Sequence, residues 1–566
     1  MSRGQWAMLV PIHKRICTRV VARPKNHIFP FLPSCAHLPK TSTMVSTSAS
    51  DERPFPQSRD PIYPDKLICF DPHSYSSGRW LRQDKSERAA RYIKFDFNAL
   101  CQKVLDVSPG ADTITNCKKL EGGFNRVFVF TLNDARRVVA RLPFALAGPA
   151  KLTTASEVAT IKYLQSKTSI PIPAILDWSN DPTNANNTIG SEYIIMEHAT
   201  GVQLHQKWPE MAGDQRVKCI DAIYRKMKEL VDLRFQAFGS LYFAEPPGFG
   251  GMYPLDKEFC IGPHCGTRYW DCSVGERRYY HNVEPNQGPW SNIGEFCDGL
   301  IDAGLSRLPP VDSNIDNKPF YHGSPRIHRS LLESARAMLK QMSTDHRIAE
   351  AAIPLLFHPD LHKRNIFVSE GDPATITGII DWQATSIEPA FWYSDEIPDF
   401  AIPIETGETI YAEAFEVSSQ FLTPILAGPR LMDESLFRPF RYSYRTWKDG
   451  AVALRHDMIE TARRWKELGL VGQCPYPLPT PKDFADHEKE YKLFEAAQVL
   501  RRDLSNLLNT ASDGWVPPEE WEATESAHKE IFMGMLQAVL TNQGLDEDEP
   551  VKDEETLRSI WPFDIN

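Results

Sequence analysis

The chain reads as an α+β protein of two lobes, a small antiparallel sheet ahead of a larger, mostly helical part that carries an insert. Three observations predict it. Alternating apolar residues after Gly122-Gly123, from Arg126 to Phe130, face a second run, Arg137 to Leu142, across an Asn133-Asp134 turn, which reads as a hairpin. Apolar positions recur at helical spacing in Ile220, Ile223, Met227 and Leu230, and again in Leu332, Ala335, Met338, Leu339 and Met342. The segment from His358 to Trp382 strings together a loop, a short strand, a turn and a returning strand.

That last segment carries the chemistry. Asp360 and Asn365 lie five positions apart in a loop interrupted by charges, and Ile366-Phe367-Val368 then reads as a strand. Glu370-Gly371-Asp372 supplies turn residues, so the run Ile376 to Ile380 returns antiparallel and delivers Asp381 beside Asn365. Transfer of a nucleotide's terminal phosphoryl group needs Mg²⁺ to offset charge, and hard Mg²⁺ takes oxygen ligands such as a carboxylate and a carboxamide. Asn365 and Asp381 fit as metal ligands. A substrate hydroxyl also needs a proton acceptor that is not committed to the metal, and Asp360 fits that role. His358 is expected to brace the loop and His362 to point to solvent.

His358-Pro359-Asp360-Leu361-His362, Asn365 and Ile380-Asp381-Trp382 together resemble the catalytic loop and metal-binding aspartate of the protein-kinase-like phosphotransferases, in the form of the aminoglycoside phosphotransferase and choline kinase branch. Asp381-Trp382-Gln383 stands where protein kinases have Asp-Phe-Gly, and no Ala-Pro-Glu segment follows. The order of Gly-Gly-Phe-Asn-Arg-Val-Phe, Ala-Arg-Leu-Pro, Ala-Ser-Glu-Val-Ala-Thr, Ser-Glu-Tyr-Ile-Ile-Met-Glu and His-Pro-Asp-Leu-His is similar to fungal proteins of the altered inheritance of mitochondria 9 group, from about Phe70 to the C-terminus.

The resemblance implies a bilobal protein-kinase-like fold that uses ATP and Mg²⁺ and phosphorylates the hydroxyl of a small molecule. It places Gly122, Gly123 and Asn125 over the phosphates, where glycines let backbone N–H groups come close. Arg141 stands in the position of the strand lysine that pairs with the phosphates, with Glu157 as its ionic partner. Thr154 and Glu157 also spell a capping box, which would fix Glu157 for helical reasons. Met196, Glu197 and His198 fall at the hinge, where adenine meets backbone. Arginine in place of lysine leaves a second reading open, a catalytically weak nucleotide-binding or scaffold protein needed for mitochondrial maintenance.

The expected division is a leader over residues 1–50, an extension over 51–110, the small lobe over 111–200, the helical lobe over 201–545 and an acidic tail over 546–566. The insert is placed at about 238–310, with a short hairpin near Gly239 to Phe243, and the catalytic loop at 358–382. The first fifty residues hold seven basic side chains (Arg3, Lys14, Arg15, Arg19, Arg23, Lys25, Lys40) and no acid before Asp51. Such a leader reads as a mitochondrial transit peptide, with Met44 as an alternative start for a cytosolic form. Removing seven positive charges takes the formal net charge from −11 to −18, an acidic balance that argues against a nucleic-acid partner. No apolar run approaches the roughly 18 residues needed to span a bilayer, so a matrix location is expected. Cys260, His264, Cys265 and Cys272 cluster without the tight pairs of a strong zinc signature. Aromatics and carboxylates from Glu388 to Asp399 suggest a receptor for a cationic or sugar acceptor.

Overall fold

Residues 69–244, 251–280, 284–311, 313, 318–393, 396–402, 409–541 and 549–565 are described by the computed structural model, so the expected leader lies outside the described residues. The extension supplies strand β1 (Arg79–Trp80) and helices α1 (Asp84–Ala90) and α2 (Phe97–Asp106). The small lobe follows as β2 (Ile114–Glu121), β3 (Asn125–Leu132), β4 (Arg137–Pro143), helix α3 (Leu152–Lys167), β5 (Ile175–Ser179) and β6 (Tyr193–Glu197). The strands form one antiparallel sheet in the order β2-β3-β4-β6-β5.

Alternation of period two sorts the two faces of β3. Phe128, Phe130 and Leu132 are buried against Phe97, Leu100 and Val104 of α2, while Val127 and Val129 turn to the opposite face. Phe70 of the extension stacks on Phe128 with ring centres 6.2 Å apart. Each fully buried ring of this kind contributes about 1.5–3 kcal/mol.

The bend between β2 and β3 is fixed by a buried ion pair. Arg126 donates to Glu121 at 2.7 Å, and neither side chain is exposed. The rest of the guanidinium donates to the carbonyls of Pro72, His73 and Arg91, and Glu121 accepts the amides of Ser76 and Ser77. With all partners present, the desolvation of both charges is offset, and the extension is stitched to the two strands that flank Gly122-Gly123.

Beyond β7 (Val202–Gln203), helix α4 (Gly213–Val231) buries Ile220, Ile223 and Leu230, as the spacing predicts. The insert is a sheet of β8 (Ser240–Phe243), β9 (Tyr253–Pro254) and β10 (Phe259–Gly262) in the order β8-β10-β9. Its outer part ends earlier than 310, because helix α5 (Ile293–Leu305) already packs with α6 (Pro325–Met342) in the core of the large lobe. Strand β11 (Pro354–Phe357) precedes the hairpin of β12 (Ile366–Val368) and β13 (Ile376–Ile379), and β14 (Ser386–Pro389) pairs back onto β11. Helices α7 (Ile410–Leu422), α8 (Ala451–Arg463), α9 (Pro481–Leu507) and α10 (Trp521–Leu540) complete the lobe, which is mostly helical as expected.

The C-terminal stretch corrects one expectation. Residues 549–565 are not a solvated acidic tail: Val551, Leu557, Ile560, Trp561 and Phe563 are buried against α9 and α10, five apolar side chains that outweigh the acids around them. Asp546, Glu547 and Asp548 lie outside the described residues. The extension reaches this part of the core too, where β1 pairs with β15 (Trp515–Val516) and the Asp564 amide donates to Leu81 at 2.9 Å. Among the described residues no helix is long and apolar enough to cross a membrane. The architecture is the two-part α+β arrangement that the sequence predicted, an antiparallel five-stranded sheet with helix α3 ahead of a mostly helical part that carries the insert sheet.

Candidate functional site

The β12–β13 hairpin places the acidic loop. Ile366 pairs with Ile379, and the Ile380 amide donates to the Asn365 carbonyl at 2.9 Å, so Asn365 and Asp381 leave adjacent strand ends. His358 is buried, as a brace should be. Its Nδ1 accepts the Asp360 amide at 3.1 Å and its Nε2 donates to the Ile380 carbonyl at 2.9 Å, a pattern that a neutral ring with its proton on Nε2 satisfies. Burial lowers the pKa of this ring, in keeping with the neutral form. Asn365 is buried as well, and its Nδ2 donates to the Asp360 carbonyl at 3.0 Å, leaving Oδ1 without a donor among the described residues.

Asp381 takes φ +69°, left-handed backbone that costs a non-glycine residue about 1–2 kcal/mol. The buried Trp382 beside it, edge-on to His358 and bonded through Nε1 to the Ile379 carbonyl at 3.0 Å, holds the chain in that turn. Oδ1 of Asp381 accepts from Arg141 at 2.7 Å, and the side chain is 38% exposed. Asp360 is 43% exposed, with His362 Nε2 3.6 Å from Oδ2. His362 therefore does not point to solvent; it is mostly buried against the loop it belongs to.

Arg141 comes from β4, between Val127 of β3 and Ile194 of β6. It is buried, pairs with Glu157 of α3 and reaches across to Asp381. Burial pushes the Glu157 carboxyl up to about 7, with Arg141 pulling it down and Asp381 pushing it further up. The capping-box expectation fails, because α3 starts at Leu152, ahead of Thr154, whose hydroxyl donates instead to Glu192 at 2.7 Å. Glu157 is placed by its ion pair and by the packing of α3. On its outer side that helix meets the insert, with Tyr163 edge-on to Phe259 at 5.2 Å and Leu152 packed among Tyr242, Cys260 and Cys265.

The glycine bend caps the same cleft, a space of about 2810 Å³ that Gly122, Gly123, Arg141, Asp360, Asn365 and Asp381 all line. A Cβ on Gly122 would meet nothing nearer than 3.9 Å, so the chain's own packing does not demand glycine there. Asn125 meets Gln383, two residues past Asp381: the carboxamides exchange hydrogen bonds of 2.8 and 3.0 Å. Turning both amides over keeps that exchange and sets the Asn125 oxygen 2.9 Å from Arg141. Met196, Glu197 and His198 line the cleft too, but the amides of Glu197 and His198 are committed to the carbonyls of Ala174 and Arg137. They bond none of the other candidates.

The acceptor expectation is corrected. Glu388 is fully buried, bonded by Arg268, His264 and Ser386, and although burial favours its protonation, Arg268 and His264 hold it down at about 2. Phe391 and Trp392 belong to the core, and Asp395 lies outside the described residues. That commitment of His264 also leaves no group of three or more metal-binding side chains with Cys260, Cys265 and Cys272 among the described residues.

Sequence reasoning did not single out the apolar residues on the cleft lining, Val127 and Val139 from the sheet, Phe367 from β12 and Ile380 just past β13. The signal was there, since the alternation of β3 leaves Val127 and Val129 off the core face. It also missed Gln383 as the partner of Asn125, a contact across 258 positions that no local pattern encodes.

No family model matches the chain. It is similar to a subtelomeric hrmA-associated cluster protein of Aspergillus fumigatus, 28% identical over 501 residues that cover 75% of this chain and 94% of that protein. It is also similar to the altered inheritance of mitochondria protein 9, mitochondrial, of Yarrowia lipolytica, 24% identical over 56% of this chain and 58% of that one. The protein of the same name from Zygosaccharomyces rouxii is 21% identical over 86% and 92%. Among solved structures, the GDP and kanamycin complex of APH(2")-IIia aligns at 15% identity and TM-score 0.33, covering 64% of this chain and 98% of that one. The streptomycin–ATP ternary complex of APH(2")-IIa aligns at 13% and 0.31, covering 74% and 98%. The chain is thus similar to the fungal altered inheritance of mitochondria protein 9 group that its motifs resembled, with aminoglycoside phosphotransferases of kinase-like fold among its structural neighbours.

Proposed function

We propose that this protein is an ATP- and Mg²⁺-dependent phosphotransferase that acts on the hydroxyl of a small molecule in mitochondria. The observation that carries the reading is the convergence of Asp360, Asn365 and Asp381 at the hairpin, under the glycine bend and tied to Arg141. The residues fit a hard cation. Asn365 Oδ1 is turned free by the bond its amide makes to Asp360, and Asp381 keeps its second oxygen clear of Arg141. Mg²⁺ held there offsets the charge of the nucleotide's phosphates.

The remaining work falls to the chain's own side chains. Asp360, whose backbone is locked by His358 while its carboxylate stays open to the cleft, orients the acceptor hydroxyl and takes its proton. Arg141 steadies phosphate oxygens, Glu157 keeps Arg141 in place, and the amides around Gly122 and Gly123 approach the phosphates from above. Val127, Val139, Phe367 and Ile380 sandwich the base, with carbonyls between Met196 and His198 at its edge. The names of the yeast relatives and the acid-free leader support the mitochondrial address.

A second reading, a nucleotide-binding protein with little turnover, is favoured by one contact: Arg141 already occupies Asp381. ATP binding measured with and without Mg²⁺, and consumption of ATP with extracted mitochondrial metabolites, test both. Mg²⁺-dependent binding lost in Asp381→Ala and turnover lost in Asp360→Asn are expected. Equal affinity in Asp381→Ala sinks the proposal, and binding without any turnover leaves the second reading standing.

A further inference from the structure

One stretch of the cleft wall is cationic in a protein whose balance is acidic. Arg82, between β1 and α1, Lys318, just ahead of the turn Phe320–His322, and Arg501, on α9, come from three separate parts of the chain and line the same cleft. None of the three makes an ion pair or a side-chain hydrogen bond among the described residues. The carboxylates whose field reaches Lys318 and Arg501 are already taken. Glu276, which acts on Lys318, is held by Arg307 and Lys448, and Asp449, which acts on Arg501, is held by Arg445 through two bonds.

Cations gathered without counter-charges repel one another. Burial lowers the pKa of the Arg501 guanidinium, and Arg82 and Arg445 add to that; burial lowers the Lys318 ammonium too, again with Arg82 adding. An anion bound among them would offset that repulsion. The cleft they line, about 2810 Å³, exceeds the roughly 300–1,000 Å³ of a site for one small ligand. Glu388, the carboxylate expected to receive a cation, is committed to Arg268 and His264.

We infer that Arg82, Lys318 and Arg501 form a site in the cleft for an anionic small molecule that carries a phosphate or a carboxylate. The inference rests on the cation cluster, and the phosphotransferase reading stands or falls separately from it.

Calorimetric titration of the full chain with glycerol 3-phosphate, glycerate and glycerol, with and without Mg²⁺ and a non-hydrolysable ATP analogue, tests it. At least one anion binds and glycerol does not; the Lys318→Gln, Arg501→Gln double variant weakens the anion roughly tenfold or more, while its affinity for nucleotide is unchanged. Arg501→Lys, which keeps the charge, retains most of the binding and guards against a folding artefact. Anion affinity unchanged in the double variant, or no anion binding by a wild type that binds nucleotide, overturns the inference. Anion binding by a wild type that binds no nucleotide supports the anion site and removes the phosphotransferase reading instead. The stronger of the two anions identifies the group recognised.

Discussion

The Arg141 guanidinium reaches the Asp381 carboxylate at 2.7 Å, a bond between the small sheet and the strand end of the helical lobe. Because the same side chain pairs with Glu157, one planar fork joins α3, β4 and the β13 end. A lysine ammonium has the charge but not the fork. Arg141→Lys is therefore expected to keep the fold and to change nucleotide affinity by less than about tenfold. Arg141→Met leaves Glu157 buried without its partner and should cost about 3–5 kcal/mol in urea unfolding. A Met variant as stable as wild type would mean that the pair contributes nothing.

His358 holds the Asp360 loop to the Asp381 strand through both ring nitrogens. His358→Phe keeps the ring against Trp382 but orphans the Ile380 carbonyl, which should cost about 1–3 kcal/mol. Turnover should fall more than nucleotide affinity, since the displaced group is the proposed proton acceptor, Asp360. Steady-state kinetics on the variant separate the two effects, and an unchanged kcat would refute the bracing role.

Glu388 makes stability depend on acid. Above about 4.5 both folded and unfolded chains carry this carboxylate, and the folded one keeps it, beside Arg268 and His264, down to about 2. The stabilisation is thus present above the unfolded value and lost as pH falls from about 4.5 to about 2. Glu388→Gln should be less stable than wild type by about 3–5 kcal/mol at neutral pH, with the gap closing below pH 4.5. Denaturant midpoints at stepped pH give the comparison; a gap that widens in acid contradicts the assignment.

The Asn125–Gln383 exchange latches the glycine bend to the segment after Asp381. Gln383→Ala removes two hydrogen bonds, worth about 0.5–1.5 kcal/mol each. Amide exchange over 121–125 should speed up while that of β12 does not change. Equal exchange rates across both segments would show that the bend is held by Glu121 and Arg126 alone.

Local patterns made the β3–β4 hairpin, strand β6 and the β12–β13 hairpin readable from sequence. Period-two alternation in β3, helical spacing in α4 and α6, and turn residues between β12 and β13 each act over a few positions. What was not readable depends on partners far away. Thr154 had the right spacing for a cap, but the helix began earlier and Glu192 took its hydroxyl. Glu388 sat in an aromatic stretch that looked open until Arg268 and His264, more than a hundred positions upstream, closed on it. The C-terminal residues read as acidic because charge is visible in a sequence, whereas burial of Trp561 and Phe563 requires the core they enter.

The insert sheet behind α3 has a wider consequence. Folds of this type can switch by swinging the helix that carries the glutamate, making and breaking its pair with the strand cation. Here Tyr163, Leu152 and their neighbours wedge that helix against β8 and β10. A helix packed from behind in this way resists being swung out, so the Arg141–Glu157 pair is expected to persist whether or not a ligand occupies the cleft.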